Sequence, residues 1–196
     1  MDQHLVMLEF IKKTCAQCFL HLRDLSSIRS VLTQEAAESL VHAFIASRLD
    51  YANALLIGAP DYALQRLQRI QNLAARTVKR ASRWDSAHEL LRQLHWLPVR
   101  ERIDYKALLL AYKALHGLAP TYLADMLHPY HPSRPLRSAD RENLQVPRTF
   151  SRYGSSTFTY HLPKLWNELP FHVKSAASLP TFKSALKTFL FSRAFN

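Results

Sequence analysis

Between Asp61 and Asp85 the chain carries no acidic residue, yet it places Arg66, Arg69, Arg76, Lys79, Arg80 and Arg83 there. At about 100° per residue, Leu64, Leu67, Ile70, Ala74, Val78 and Ala81 share one face of a helix expected over residues 61–83. The six cations gather on the opposite face. A guanidinium presents a planar fork that matches two phosphate oxygens, so the chemistry these residue types can perform is phosphate binding. A wet helix face ordinarily mixes signs, and an amphipathic helix with no ligand is the competing explanation of any charged stripe. Trp84 closes the stretch. An indole beside arginines is suited to stacking on a base.

Covalent and redox chemistry find little to work with. The three glycines, Gly58, Gly117 and Gly154, are far apart, so no phosphate-cradling loop, dinucleotide fingerprint or nucleophile elbow can be written. No two acidic residues are adjacent, and the nearest pair, Asp140 and Glu142, falls in a proline-rich stretch where solvated loop carboxylates are expected. Cys15, Cys18 and His21 spread around a helix circumference with no second ligand pair at zinc-finger spacing. His88 and His95, and likewise His128 and His131, read as surface or half-buried histidines. The expectation is a chain that is not an enzyme, with no catalytic, cofactor or metal residues.

Composition narrows the partner. The chain is 48% hydrophobic and 21% charged, which suits a globular protein, and no apolar run approaches the roughly 20 residues a membrane span needs. A net charge of +11 is distributed unevenly: residues 1–60 hold five basic and six acidic side chains, so the positive excess lies beyond them. That field favours the phosphate backbone of RNA or DNA as partner, with no membrane. The first residues lack the basic and apolar regions of a signal peptide. Cys15 and Cys18 have poor disulfide spacing on a helix and read as free thiols of a reducing compartment. The expected location is therefore intracellular, nucleus or cytoplasm, and not secreted.

The elements that must position the stripe follow from caps and breakers. A helix is expected over residues 3–22, with a break at Leu25-Ser26-Ser27 and a short segment around 28–32. Thr33 reads as the N-cap of a helix from Gln34 that Gly58 and Pro60 end. Ser86-Ala87-His88-Glu89 matches a capping box and opens a helix that Pro98 terminates. Another runs from about Arg100 to His116, closed by Gly117, and Pro120 begins a short one. The fold class is mainly α: a bundle of about five or six helices joined by short connections. Residues 128–143 form a basic, proline-rich connector, with Pro129, Pro132, Pro135, Arg134 and Arg137. Beyond it, Leu144-Gln145-Val146 and Thr157-Phe158-Thr159-Tyr160 are expected to pair as a short β-hairpin. Ser178 caps a terminal helix whose stripe is Leu179, Phe182, Leu186, Phe189 and Leu190. Trp96 and Trp166 sit among leucines and are expected in the core.

Three separated blocks carry a family resemblance: Ser47-Arg48-Leu49-Asp50-Tyr51, the run from Leu94-His95-Trp96-Leu97-Pro98 to Tyr105-Lys106, and Pro163-Lys164-Leu165-Trp166-Asn167-Glu168-Leu169-Pro170. In this order, from about Phe19 to the C-terminus, they resemble the region after the polymerase core in reverse transcriptases of LINE-type (non-LTR) retrotransposons, of the jockey-like and chicken-repeat-like clades. The parent family is RNA-directed DNA polymerase. The resemblance implies a helical thumb-like domain over residues 1–127, the connector over 128–143, and a small C-terminal module over 144–196. It implies a non-catalytic nucleic-acid-binding fragment that holds template-primer or element RNA, with Arg66, Arg69, Arg76, Lys79, Arg80, Arg83 and Trp84 as contacts. A polymerase core encoded upstream is then a partner, and apolar residues such as Phe10, Phe19, Leu40 and Phe44 imply self-association where that core is missing. The rival readings are a helical protein-interaction module and the non-functional orphan reading frame of a truncated element.

Overall fold

A computed structural model describes residues 3–130, 142–149 and 157–196, and its described residues are mainly helical. They group into two compact units, one from residues 1–53, 59–102 and 194–196, the other from 54–58 and 103–193. The composition-based division at 127/128 marks a change of chain character, whereas packing parts the chain at 102/103.

In the first unit α1 (Gln3–Ile28) continues through the Leu25-Ser26-Ser27 stretch, because Leu22 and Leu25 remain in register with the buried Ile11 and Cys18. A tight turn, Arg29–Val31, follows. Thr33 caps α2 (Gln34–Val41) by accepting the Ala36 N–H at 3.2 Å. A widened turn, His42–Ala46, then leads into α3 (Ser47–Asp50), burying Val41, Ile45 and Leu49 on one side. α4 (Asp61–Lys79) begins after Pro60 and buries Leu64, Leu67, Ile70, Ala74 and Val78. It packs along α1 in the same direction: Arg66 lies beside Cys15, and Arg29 reaches the carbonyls of Thr77 and Val78. Ser86 caps α5 (Ala87–Gln93) through the Glu89 N–H.

α4 ends four residues before the expected Arg83. No glycine is available, so Arg80 itself takes the left-handed conformation, φ +51°, as the cap. That geometry costs a non-glycine residue roughly 1–2 kcal/mol, and the contacts of the Arg80 side chain described below hold it there.

α6 (Val99–Leu115) enters the second unit at Ile103 and ends at Gly117, φ +68°. This unit also holds α7 (Thr121–Ala124), α8 (Phe158–Asn167), α9 (Phe171–Lys174) and α10 (Leu179–Phe195), and it buries Tyr112 of α6, Trp166 of α8 and Phe182 of α10. The Tyr112 ring stacks on Phe182 at 4.1 Å and its hydroxyl donates to the Ala176 carbonyl at 2.8 Å.

The expected β-hairpin does not form. Among the described residues there is no strand, and Phe158-Thr159-Tyr160 begin α8. Leu162, Trp166 and Leu169 bury themselves at helical spacing, so the helical period overrides the β-propensity of the preceding short run. Leu144 instead pairs with Pro129 in a single antiparallel bridge. Tyr130 N–H donates to Asn143 O at 2.8 Å and Gln145 N–H to His128 O at 2.7 Å. The two ends of the connector thus lie together; its residues 131–141, with Arg134, Arg137 and Asp140, lie outside the described residues.

Candidate nucleic-acid interface

The six cations of α4 and its following turn divide into two groups with different work. Arg66, Arg69 and Arg83 are exposed. Arg76, Lys79 and Arg80 cluster at the helix C-terminus, where the dipole favours cations. Arg76 donates to the Asp85 carbonyl at 3.1 Å, and Lys79 reaches Gln34 Oε1 at 3.5 Å. Arg80 donates from one nitrogen to the carbonyls of Arg29 and Ser30, both at 2.9 Å, and of Leu32 at 3.3 Å.

Arg29 returns the contact, and composition alone did not single it out. Only 8% exposed, it donates to Thr77 O at 3.0 Å, Val78 O at 2.6 Å and Leu32 O at 2.7 Å. Each arginine caps the backbone end from which the other projects. This reciprocal clamp occupies Arg80; on α4 it supplies a donor to the terminal Val78 carbonyl and a second donor to Thr77 O, which also accepts the Arg80 N–H at 3.3 Å.

No carboxylate neutralises the stripe: among the described residues none of the six cations is ion-paired with an acid. The flanking acids are committed elsewhere. Asp61 pairs with Arg100, and Asp85 Oδ2 accepts the Ser82 N–H at 2.6 Å. Burial raises the Cys15 thiol pKa, and the Arg66 charge beside it opposes that rise. Along the exposed edge of α4 the residues run Tyr62, Arg66, Arg69 and Leu73. Tyr62 is 54% exposed and Leu73 40% exposed, so the cations alternate with apolar surface.

The tryptophans separate cleanly. Trp96 and Trp166 are 7% and 1% exposed, as core anchors should be, whereas Trp84 is 81% exposed with the Arg83 guanidinium over its ring, 4.4 Å from the centroid.

The motif blocks do structural work. Arg102 grips Asp50 with two guanidinium nitrogens, one of them at 2.9 Å, joining the first block to the second. Trp96 sets its edge against His42 at 5.4 Å. Buried Gln71 donates to the Leu97 carbonyl at 2.8 Å, and Gln68 accepts the Val99 N–H at 2.8 Å, so the middle block is strapped to α4. In the third block Asn167 accepts the Leu144 N–H and donates to its carbonyl, at 2.7 and 2.8 Å, and the Trp166 indole donates to Glu142 O at 2.9 Å. Buried Lys174 adds a bond to Asn143 Oδ1 at 2.8 Å.

No group of three His, Cys, Asp or Glu side chains able to hold a metal ion occurs among the described residues. Nor, among them, is any helix long and apolar enough to cross a membrane. A cavity of about 10 Å³ beside Val41, Ile45, Leu49 and Trp96 has room for one water at most. No family model, curated protein or solved structure matches the chain.

Proposed function

We propose that this chain is a non-catalytic nucleic-acid-binding module, the C-terminal thumb-like part of a LINE-type reverse transcriptase, and that it holds template-primer or element RNA by its phosphates. The observation that carries this is the exposed edge of α4, where Arg66 and Arg69 stand without a carboxylate partner. Cations left unneutralised on an ordered helix are set at fixed spacing for a polyanion and release its counterions on contact. Arg83 extends the edge beyond the helix. Arg80, and in part Arg76, serve the fold first.

Fluorescence anisotropy of the full chain with a labelled RNA duplex tests the proposal. Log K should fall linearly with log salt, with a slope of about −0.9 per phosphate contact on B-form DNA and a similar decline on RNA, and different sequences should bind about equally.

Leu73 favours the second reading, a helical protein-interaction module. An exposed leucine between Arg69 and Arg76 suits an acidic amphipathic helix that seats its apolar side there. That reading wins if Leu73→Ser abolishes capture of an acidic helical peptide while duplex binding is absent at low salt.

A further inference from the structure

We infer that the turn Ser82–Asp85 is a stacking platform for an unpaired base, so that the phosphate-binding edge of α4 prefers single-stranded nucleic acid to duplex; the inference rests on the phosphate-binding reading above. The turn is held by its own bonds. Asp85 N–H donates to Ser82 O at 3.2 Å, Ser82 N–H to Asp85 Oδ2 at 2.6 Å, and Trp84 N–H to Ser82 Oγ at 3.3 Å. Arg76 fastens it to α4 through the Asp85 carbonyl at 3.1 Å. A segment ordered this far still delivers its largest apolar side chain to water, while the other two tryptophans are buried.

The surroundings select the occupant. Arg83 covers one face of the indole, 4.4 Å from its centroid, and the 81% exposure leaves the other face to solvent. A base stacked there completes an arginine–indole–base sandwich, and cations flank it on the sequence side toward α4 for the adjoining phosphates. Asp85, the acid next to Trp84 in sequence, has its Oδ2 tied to the Ser82 N–H and serves the turn. A proline-rich peptide would use the ring and gain nothing from the arginines. Paired bases hide their faces inside the stack, so a duplex gains the phosphate contacts alone.

The test uses the full chain, a labelled oligouridylate and a long blunt-ended RNA duplex. Trp84→Ala should weaken oligouridylate binding by about 5- to 150-fold, the range for loss of one aromatic–base stack, and leave duplex binding unchanged. Trp84→Phe should keep most of the affinity. Because Trp96 and Trp166 are buried, the fluorescence quenched on binding belongs to Trp84, and Trp84→Phe should abolish the quench. Equal weakening of both probes by Trp84→Ala, or no weakening of either, overturns the stacking inference. If in that case Arg66→Gln with Arg69→Gln still weakens both probes, the phosphate reading stands alone. An unmodified chain that binds neither probe overturns both.

Discussion

Replacing Arg29 by Met keeps an unbranched apolar stem and removes the guanidinium, which isolates the clamp from the packing beneath it. Three carbonyls, those of Leu32, Thr77 and Val78, lose donors at 2.7, 3.0 and 2.6 Å. Hydrogen bonds from a charged donor contribute about 1.5–3 kcal/mol each, which sets an upper bound. Removing a buried cation returns part of that, because its desolvation cost of several kcal/mol is recovered. Losing the cation at the C-terminus of α4 costs a further 0.3–1 kcal/mol or so. The net expectation is a destabilisation of about 2–4 kcal/mol, or a fall of roughly 5–15 °C in Tm for a chain of this length. Urea unfolding followed by far-UV circular dichroism reads it directly. A midpoint corresponding to less than about 0.5 kcal/mol of change would refute the clamp, since that is the range of ordinary surface substitutions.

Arg80→Gly should be about 1 kcal/mol less destabilising than Arg80→Gln, because glycine relieves the left-handed backbone while both lose the same guanidinium; equal midpoints would show that φ at this position carries no strain. Asp50→Asn removes the charge that Arg102 grips in a half-buried site and should cost about 1–3 kcal/mol in the same assay, less than a fully buried pair; an unchanged midpoint would deny that the pair joins its two blocks. Burial pushes the Cys18 thiol up to about 11, with Cys15 beside it raising it further and Arg48 opposing. At pH 8 about one Cys18 in a thousand is then thiolate, so a disulfide reagent should label Cys15 first and Cys18 only after unfolding; equal rates contradict this. Since the raised pKa favours the protonated thiol in the fold, that contribution is complete below about pH 9 and is lost as pH climbs towards about 11.

Local signals in the sequence reached the elements that position the stripe. Thr33, Ser86 and Ser178 cap as their spacing demands, with Ser178 Oγ accepting the Thr181 N–H at 3.3 Å, and Gly117 stops α6. The apolar period of α4 marks Leu64, Leu67, Ile70, Ala74 and Val78 as buried, whereas Ala81 falls beyond the helix end and Ala63, Gln71 and Ala75 widen the buried face. What stayed hidden depends on partners distant in sequence. Arg29 lies 48 positions from Thr77, so nothing near Arg80 announces that its side chain is engaged or that α4 stops at Lys79 without a glycine. The stripe therefore read as six equivalent cations. The run Thr157-Phe158-Thr159-Tyr160 carried a genuine β-propensity, and only the burial of Leu162, Trp166 and Leu169 in one core decides for a helix. Leu144 found Pro129 rather than that run because Asn167 holds its backbone from the side.

The nucleic-acid binding proposed for this chain rests on phosphate contact at Arg66 and Arg69. Salt-dependent binding of a DNA duplex by the unmodified chain and by Arg66→Gln with Arg69→Gln tests it most directly. Glutamine keeps helix propensity and removes the charge, and both positions are exposed, so folding should hold within about 0.5 kcal/mol. The slope of log K against log salt should become shallower by about 1.8, two contacts at about 0.9 each, and affinity should drop by a similar factor for every duplex sequence. An unaltered slope and affinity in the folded variant would mean that neither arginine touches phosphate and leave α4 with a solvated face.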